Sequence, residues 1–175
     1  MNGLLSPAIM PAIHGVRMPR EFYWVLQEPA PLAGMAYPWP GTPWTEIAAA
    51  GFKHVVCLAS EAPGYDPAPM ERLYTTELED LVHTRPPRDP AREERLIRDA
   101  VGLLEGQLMA GQGVVVHCAG GTGRTGTVIG CALRSLGFPT RQVLDYLYAL
   151  NVERGNTGWP EASWQARLVE TFLIP

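Results

Sequence analysis

Along the first twenty residues, apolar and polar positions follow no period. Pro7, Pro11 and Pro19 interrupt them, which predicts irregular structure over 1–20. The run FYWVL at 22–26 has strand character, whereas PAPLAGMAYPWPGTP at 29–43 is dense in turn formers and reads as loop. Thr45–Ala50 suits a short helix closed by Gly51, and KHVVCLA at 53–59 a buried strand. RLYTTEL at 72–78 is a further strand, followed by the charged, proline-rich DLVHTRPPRDP at 80–90, expected as an exposed loop. From Ala91 to Ala110, apolar residues at Leu96, Ile97, Val101, Leu104, Leu108 and Met109 mark one face of a long helix, with glutamates near its positive end. Gly111–Gly113 then turns the chain into VVVH at 114–117, β-branched enough for a central strand. Three helices complete the pattern: Thr125–Leu136 ended by Gly137, one capped by Thr140 and running to about Leu150, and Glu161–Phe172.

This order predicts an α/β fold with a central, mostly parallel sheet flanked by helices on both faces, in one domain over 1–175. In such sheets ligands bind beyond the carboxyl ends of the strands, which is where the 114–117 strand delivers Cys118. Composition agrees with a globular chain: 46% apolar, 18% charged, net charge −4. The one lysine is Lys53 and no basic run occurs, so nucleic acid is not an expected partner. No segment has 18 consecutive apolar residues and no export signal opens the chain. Cys57, Cys118 and Cys131 show neither CxxC spacing nor a disulfide framework, which fits a reducing, cytoplasmic setting.

The stretch GVVVHCAGGTGRTG at 113–126 carries the chemistry. A glycine-rich turn between strand and helix gathers backbone N–H groups about one point, and the helix N-terminus adds partial positive charge. It is not a Walker A loop, because Cys118 and Arg124 stand where that motif needs glycine and lysine. Gly121, Gly123 and Gly126 satisfy GxGxxG, yet late in the chain and without a clear strand and ribose-binding acid after them. A cysteine nucleophile in an anion cradle accounts for every feature. Converging amides of Ala119, Gly120, Gly121, Thr122 and Gly123 favour a Cys118 thiolate, and Arg124 can present its planar fork to two oxygens of a phosphate. Thr125 can hydrogen-bond the sulfur, and His117 can hold the loop and tune the thiolate.

The pattern HCxxGxxRTG at 117–126 closely resembles the phosphate-binding motif of the cysteine-dependent protein tyrosine phosphatases, in particular their compact dual-specificity-like branch. PLAGMAYP (31–38) is similar to the opening segment of small members, YTTELED (74–80) to their strand leading to the acid, and WPEASWQ (159–165) to a late segment whose glutamine, here Gln165, positions water. The resemblance implies a metal-independent phosphomonoesterase needing no cofactor. Cys118 attacks phosphorus, Arg124 and the loop amides hold the oxygens, and a carboxylic acid protonates the leaving group and later activates water.

The acid is Asp80, directly after the 72–78 strand, or Asp89 in RPPRDP, nearer the family's usual spacing; Glu79 is a further candidate. Tryptophan-proline-aspartate, the family's familiar acid motif, is absent, and WPE at 159–161 follows the cysteine, so it is not that motif. Cys57 and Cys131 read as packing residues, His14 and His54 as incidental, His83 as a surface histidine of the acid loop, and Asp99 as structural. Arg85, Arg88, Arg92, Arg95 and Arg98 are either solvated helix surface or a rim that steers a multiply phosphorylated substrate. Trp39, Trp44, Trp159 and Trp164 read as loop anchors. The leading expectation is a protein tyrosine or dual-specificity phosphatase acting on a phosphorylated protein. Phosphoinositide or another small phosphate ester is the nearest alternative, and a phosphate-binding module or a sulfurtransferase represents other classes.

Overall fold

The computed structural model describes residues 3–6, 9–83 and 85–172; Thr84 of the expected 80–90 loop and residues 1, 2, 7 and 8 of the expected irregular segment lie outside it. In chain order the elements are β1 (Phe22–Leu26), β2 (Leu32–Met35), α1 (Trp44–Ala49), β3 (Phe52–Cys57), β4 (Glu71–Thr75), α2 (Pro90–Met109), β5 (Gly113–His117), α3 (Gly123–Ser135), α4 (Thr140–Glu153) and α5 (Ser163–Thr171). The sheet order is β1-β2-β5-β3-β4, antiparallel between β1 and β2 and parallel elsewhere.

Every residue of β5 is buried, as expected of a central strand covered on both faces. Val114 and Val116 face the large core built with α2 to α5, while Val115 joins Phe22, Trp24, Phe52 and Trp44 under α1. The same period of two divides β1, with Tyr23 and Val25 on the first face and Phe22 and Trp24 on the second. Helix α2 starts at an Asp89 cap with Pro90 in the first turn, and buries Ile97, Ala100, Val101, Leu104 and Leu108 at helical spacing. Met109 falls off that stripe and is 67% exposed.

Three expectations need correction. Strand β2 lies inside the stretch read as loop. Its turn-like composition has a packing cause: Gly34 pairs with Tyr23 across the ladder, and a side chain at 34 would collide with the Tyr23 ring. Thr140 is inside α4 rather than capping it, since Pro139 occupies the cap position without a side-chain bond. Helix α5 begins at Ser163, so Glu161 and Ala162 precede it, and Gln165 bonds back to their amides.

Candidate active site

Strand β5 ends at His117, and the chain turns through Cys118–Thr122 before α3 begins. The carbonyls of this turn are held from outside. His117 Nδ1 donates to the Cys118 carbonyl at 3.1 Å, the Tyr37 amide to Ala119 at 2.8 Å, and Arg154 Nη2 to Gly120 at 3.0 Å. The Gly121 carbonyl accepts from both Tyr23 Oη at 2.7 Å and Arg154 Nη1 at 2.8 Å. In a trans peptide the C=O and the next N–H point in opposite directions. Four consecutive carbonyls turned outward therefore turn the amides of Ala119, Gly120, Gly121 and Thr122 inward, about the Cys118 end of the turn. An inward ring of amides continuous with a helix N-terminus can hold an oxyanion. Gly121 makes the turn possible: its φ is +71°, and a Cβ there would strike the Met35 carbonyl.

His117 is fully buried. Because Nδ1 faces a carbonyl it must carry the proton, which leaves Nε2 to accept from the Tyr65 hydroxyl. Burial, reinforced by the positive Arg124 and opposed by the Cys118 carbonyl bond, lowers the His117 pKa to about 4. Burial, with Cys57 adding to it, raises that of Tyr65, so the phenol keeps its proton. Tyr65 is itself fixed by stacking on Trp44, with centroids 5.6 Å apart, and by the edge of Tyr37. Thus His117 contacts the carbonyl of Cys118, and its ring makes no bond to the sulfur. Thr125 Oγ1 is buried and has no hydrogen-bond partner, so its expected bond to the sulfur is not formed here.

Arg124 donates from Nη2 to Asp80 Oδ2 at 3.2 Å and from Nη1 to the Leu78 carbonyl at 3.3 Å. Asp80 thus stands at the cradle. The loop carrying it is anchored on α2 by Glu93 Oε2, which accepts from the Glu79 amide at 3.1 Å, and closed on the chain before α2 by Glu79 Oε2, which accepts from the Arg88 amide at 2.9 Å. Asp89 is elsewhere, its Oδ1 accepting from the Arg92 amide at 2.9 Å as the cap of α2. The structure brings Asp80 to Arg124 and commits Asp89 to the helix. Gln165 is buried with its Oε1 on the Glu161 and Ala162 amides, and its Nε2 approaches Gly123. Trp159 lies against Gly126 and donates to the Gly123 carbonyl at 3.3 Å.

Cys57 and Cys131 are buried, and burial pushes both thiols up, so each remains protonated inside the packing. Arg88 pairs with Glu79 at 3.7 Å, Arg92 with Glu93 at 3.1 Å and Arg98 with Glu94 at 2.8 Å. His83, Arg85 and Arg88 line a cleft of about 480 Å³ beside Asp80. Sequence reasoning missed Tyr23, Tyr37, Tyr65, Arg154 and Glu161. Tyr23, Tyr37 and Arg154 reach the turn, Tyr65 reaches His117 and Glu161 reaches Gly123 through contacts distant in sequence. The segments PLAGMAYP and WPEASWQ assign no such contact to Tyr37 or Glu161.

Residues 19–157 match the family described as Swiss Army Knife protein, DSP-PTPase phosphatase domain. Among solved structures, Tk-PTP in its active form is similar with 25% identity and TM-score 0.57, over 81% of this chain and 92% of that one. Kinase associated phosphatase is similar at 16% identity and TM-score 0.57, over 82% of this chain and 85% of that one. The core catalytic domain of the PP-IP phosphatase SIW14 from S. cerevisiae also has 16% identity and TM-score 0.57, over 81% and 80%. No described helix is long and apolar enough to cross a membrane.

Proposed function

We propose a substrate and a set of residue roles for this chain, which belongs to the DSP-PTPase phosphatase family and is a cysteine-dependent phosphomonoester hydrolase. The substrate is a phosphorylated protein, with phosphotyrosine or dual-specificity selectivity. The cleft beside Arg124 supports this reading, because its cations are already matched. Arg88 and Arg92 line it together with Glu61, Glu77, Glu79, Asp80 and Glu93, and both arginines are in ion pairs. A small substrate bearing several phosphates would need a surplus of positive charge at that rim.

Cys118 Sγ attacks phosphorus in line, forming S–P as the P–O bond to the leaving group breaks. The inward amides and Arg124 hold the three equatorial oxygens, and Asp80 gives its proton to the departing oxygen. Water then adds to phosphorus, S–P breaks, and inorganic phosphate and the thiolate are released. To receive phosphate Arg124 must share or release Asp80, which frees that carboxyl for the leaving group. Thr125 Oγ1, without a hydrogen-bond partner among the described residues, is available to the sulfur when it departs.

The outward-held carbonyls beside Cys118 carry the residue roles in this proposal, and the charge-matched cleft carries its substrate. It is tested by hydrolysis of p-nitrophenyl phosphate and of phosphopeptide and phosphoinositide panels, in reductant and chelator. Phosphopeptide turnover lost in Cys118→Ser is expected. Preference for the phosphoinositides would overturn the substrate assignment, and a rate that survives Cys118→Ser would overturn the mechanism.

A further inference from the structure

Glu93 is buried where its place in the sequence calls only for a surface acid. It lies in the first turn of α2, where a carboxylate suits the helix dipole from solvent, yet it is 4% exposed. Both of its oxygens are used: Oε1 accepts from Arg92 Nη1 at 3.1 Å and Oε2 from the Glu79 amide at 3.1 Å. The second bond falls on one half of a peptide group whose other half already belongs to the site. Leu78–Glu79 is a trans peptide, so its carbonyl and its N–H point in opposite directions. Glu93 takes the N–H from α2, and Arg124 Nη1 reaches the carbonyl from α3 at 3.3 Å. Arg124 Nη2 reaches Asp80 Oδ2, one residue further on, at 3.2 Å. The two terminal nitrogens of the guanidinium therefore rest on the residues either side of Glu79, whose own amide Glu93 fixes. Leu78, Glu79, Glu93 and Arg124 border one narrow recess, and Arg124 is among the charges that act on the Glu93 carboxyl.

We propose that Glu93 is the positioning residue for Arg124 and Asp80. It holds the Leu78–Glu79 peptide so that the carbonyl sets the angle of the guanidinium across the cradle and the acid follows at a fixed offset. The proposal rests on the roles given to Cys118, Arg124 and Asp80 above. Glu93 takes no part in bond making or proton transfer. A charged acceptor on the N–H polarises the peptide group and strengthens its carbonyl as an acceptor, so the carboxylate acts on Arg124 through the backbone. When phosphate draws Arg124 from Asp80, the Leu78 carbonyl is the contact that still fixes the guanidinium. An apolar residue at 93 would fill the same space with less desolvation, but it would leave the Glu79 amide without its acceptor.

Two variants separate the acceptor from the space it fills. Glu93→Leu removes the acceptor, whereas Glu93→Gln keeps an oxygen on the Glu79 amide without the charge. Each is assayed on p-nitrophenyl phosphate and on phenyl phosphate, whose poorer leaving group needs the acid more, with inorganic phosphate as competitive inhibitor. Glu93→Leu is expected to weaken phosphate inhibition roughly tenfold, and to lose roughly tenfold more kcat/KM on phenyl phosphate than on p-nitrophenyl phosphate. Glu93→Gln should recover most of both. Rates are taken per Cys118 alkylated by iodoacetate, which counts folded sites, so poor folding does not stand in for poor positioning. Unchanged phosphate inhibition, or an unchanged ratio between the two substrates, in Glu93→Leu would overturn the assignment. Equal losses in the leucine and glutamine variants would overturn the acceptor role. Turnover that survives Cys118→Ser, or a substrate ratio unmoved in Asp80→Asn, would instead overturn the reading on which the proposal rests.

Discussion

Arg154 Nη1 donates to the carbonyl of Gly121 at 2.8 Å, from a position 33 residues further along the chain. The same guanidinium reaches the Gly120, Arg20 and Pro19 carbonyls and Asn151 Oδ1, and lies 4.4 Å over the Tyr23 ring. It is 5% exposed and forms no salt bridge among the described residues. A buried cation satisfied by carbonyl oxygens fixes the direction of every dipole it touches, here those that turn the phosphate amides inward.

Replacing it by methionine should cost about 3 kcal/mol of stability, because buried carbonyls lose a charged donor. Competitive binding of inorganic phosphate should also weaken by roughly tenfold or more, measured on the folded fraction. Arg154→Lys should recover stability better than affinity, since an ammonium cannot fork between Gly120 and Gly121. Normal phosphate affinity in Arg154→Met would show that the guanidinium is only a support.

The neutral His117 predicts a stability slope. Its usual value near 6.5 falls to about 4 in the folded chain, so between these values the unfolded chain binds the extra proton. The stabilisation is complete above the unfolded value and is lost as pH falls through the folded one, by about 3 kcal/mol for this group. Urea unfolding at successive pH values should show that slope in wild type and lose it in His117→Asn. An equal slope in both would assign it to other groups. Tyr65→Phe should destabilise by about 1 kcal/mol, because Nε2 is left buried without its donor.

Asp80 and Asp89 should part cleanly. Asp80→Asn should lower kcat roughly 100-fold or more and remove the fall in rate at high pH. Asp89→Asn should leave kcat unchanged and cost at most about 1 kcal/mol of stability, since it alters only the α2 cap. The reverse pattern in pH–rate profiles and thermal melts would move the acid to Asp89.

Much of this was legible because it is local. The 113–126 stretch combines β-branched strand residues, a cysteine, turn glycines and a helix start within one short window, so periodicity and residue chemistry agree. Strand β2 was hidden because Gly34 answers to the ring of Tyr23, a neighbour across the sheet, and not to its own segment. Tyr65 sits in APGYDPAP, without period, and touches His117 from 52 positions away. Arg154 looks like an ordinary helix-end cation until the fold buries it. WPE at 159–161 follows the cysteine in the sequence, and only the packing of α5 on α3 puts its carboxylate on Gly123.

The most direct test of the central claim is to quench the enzyme during turnover and locate phosphate by mass spectrometry. Phosphate on Cys118 of the wild-type enzyme, with turnover lost in Cys118→Ser, is the predicted result. Wild-type turnover that continues with no phosphate on Cys118 would contradict the account.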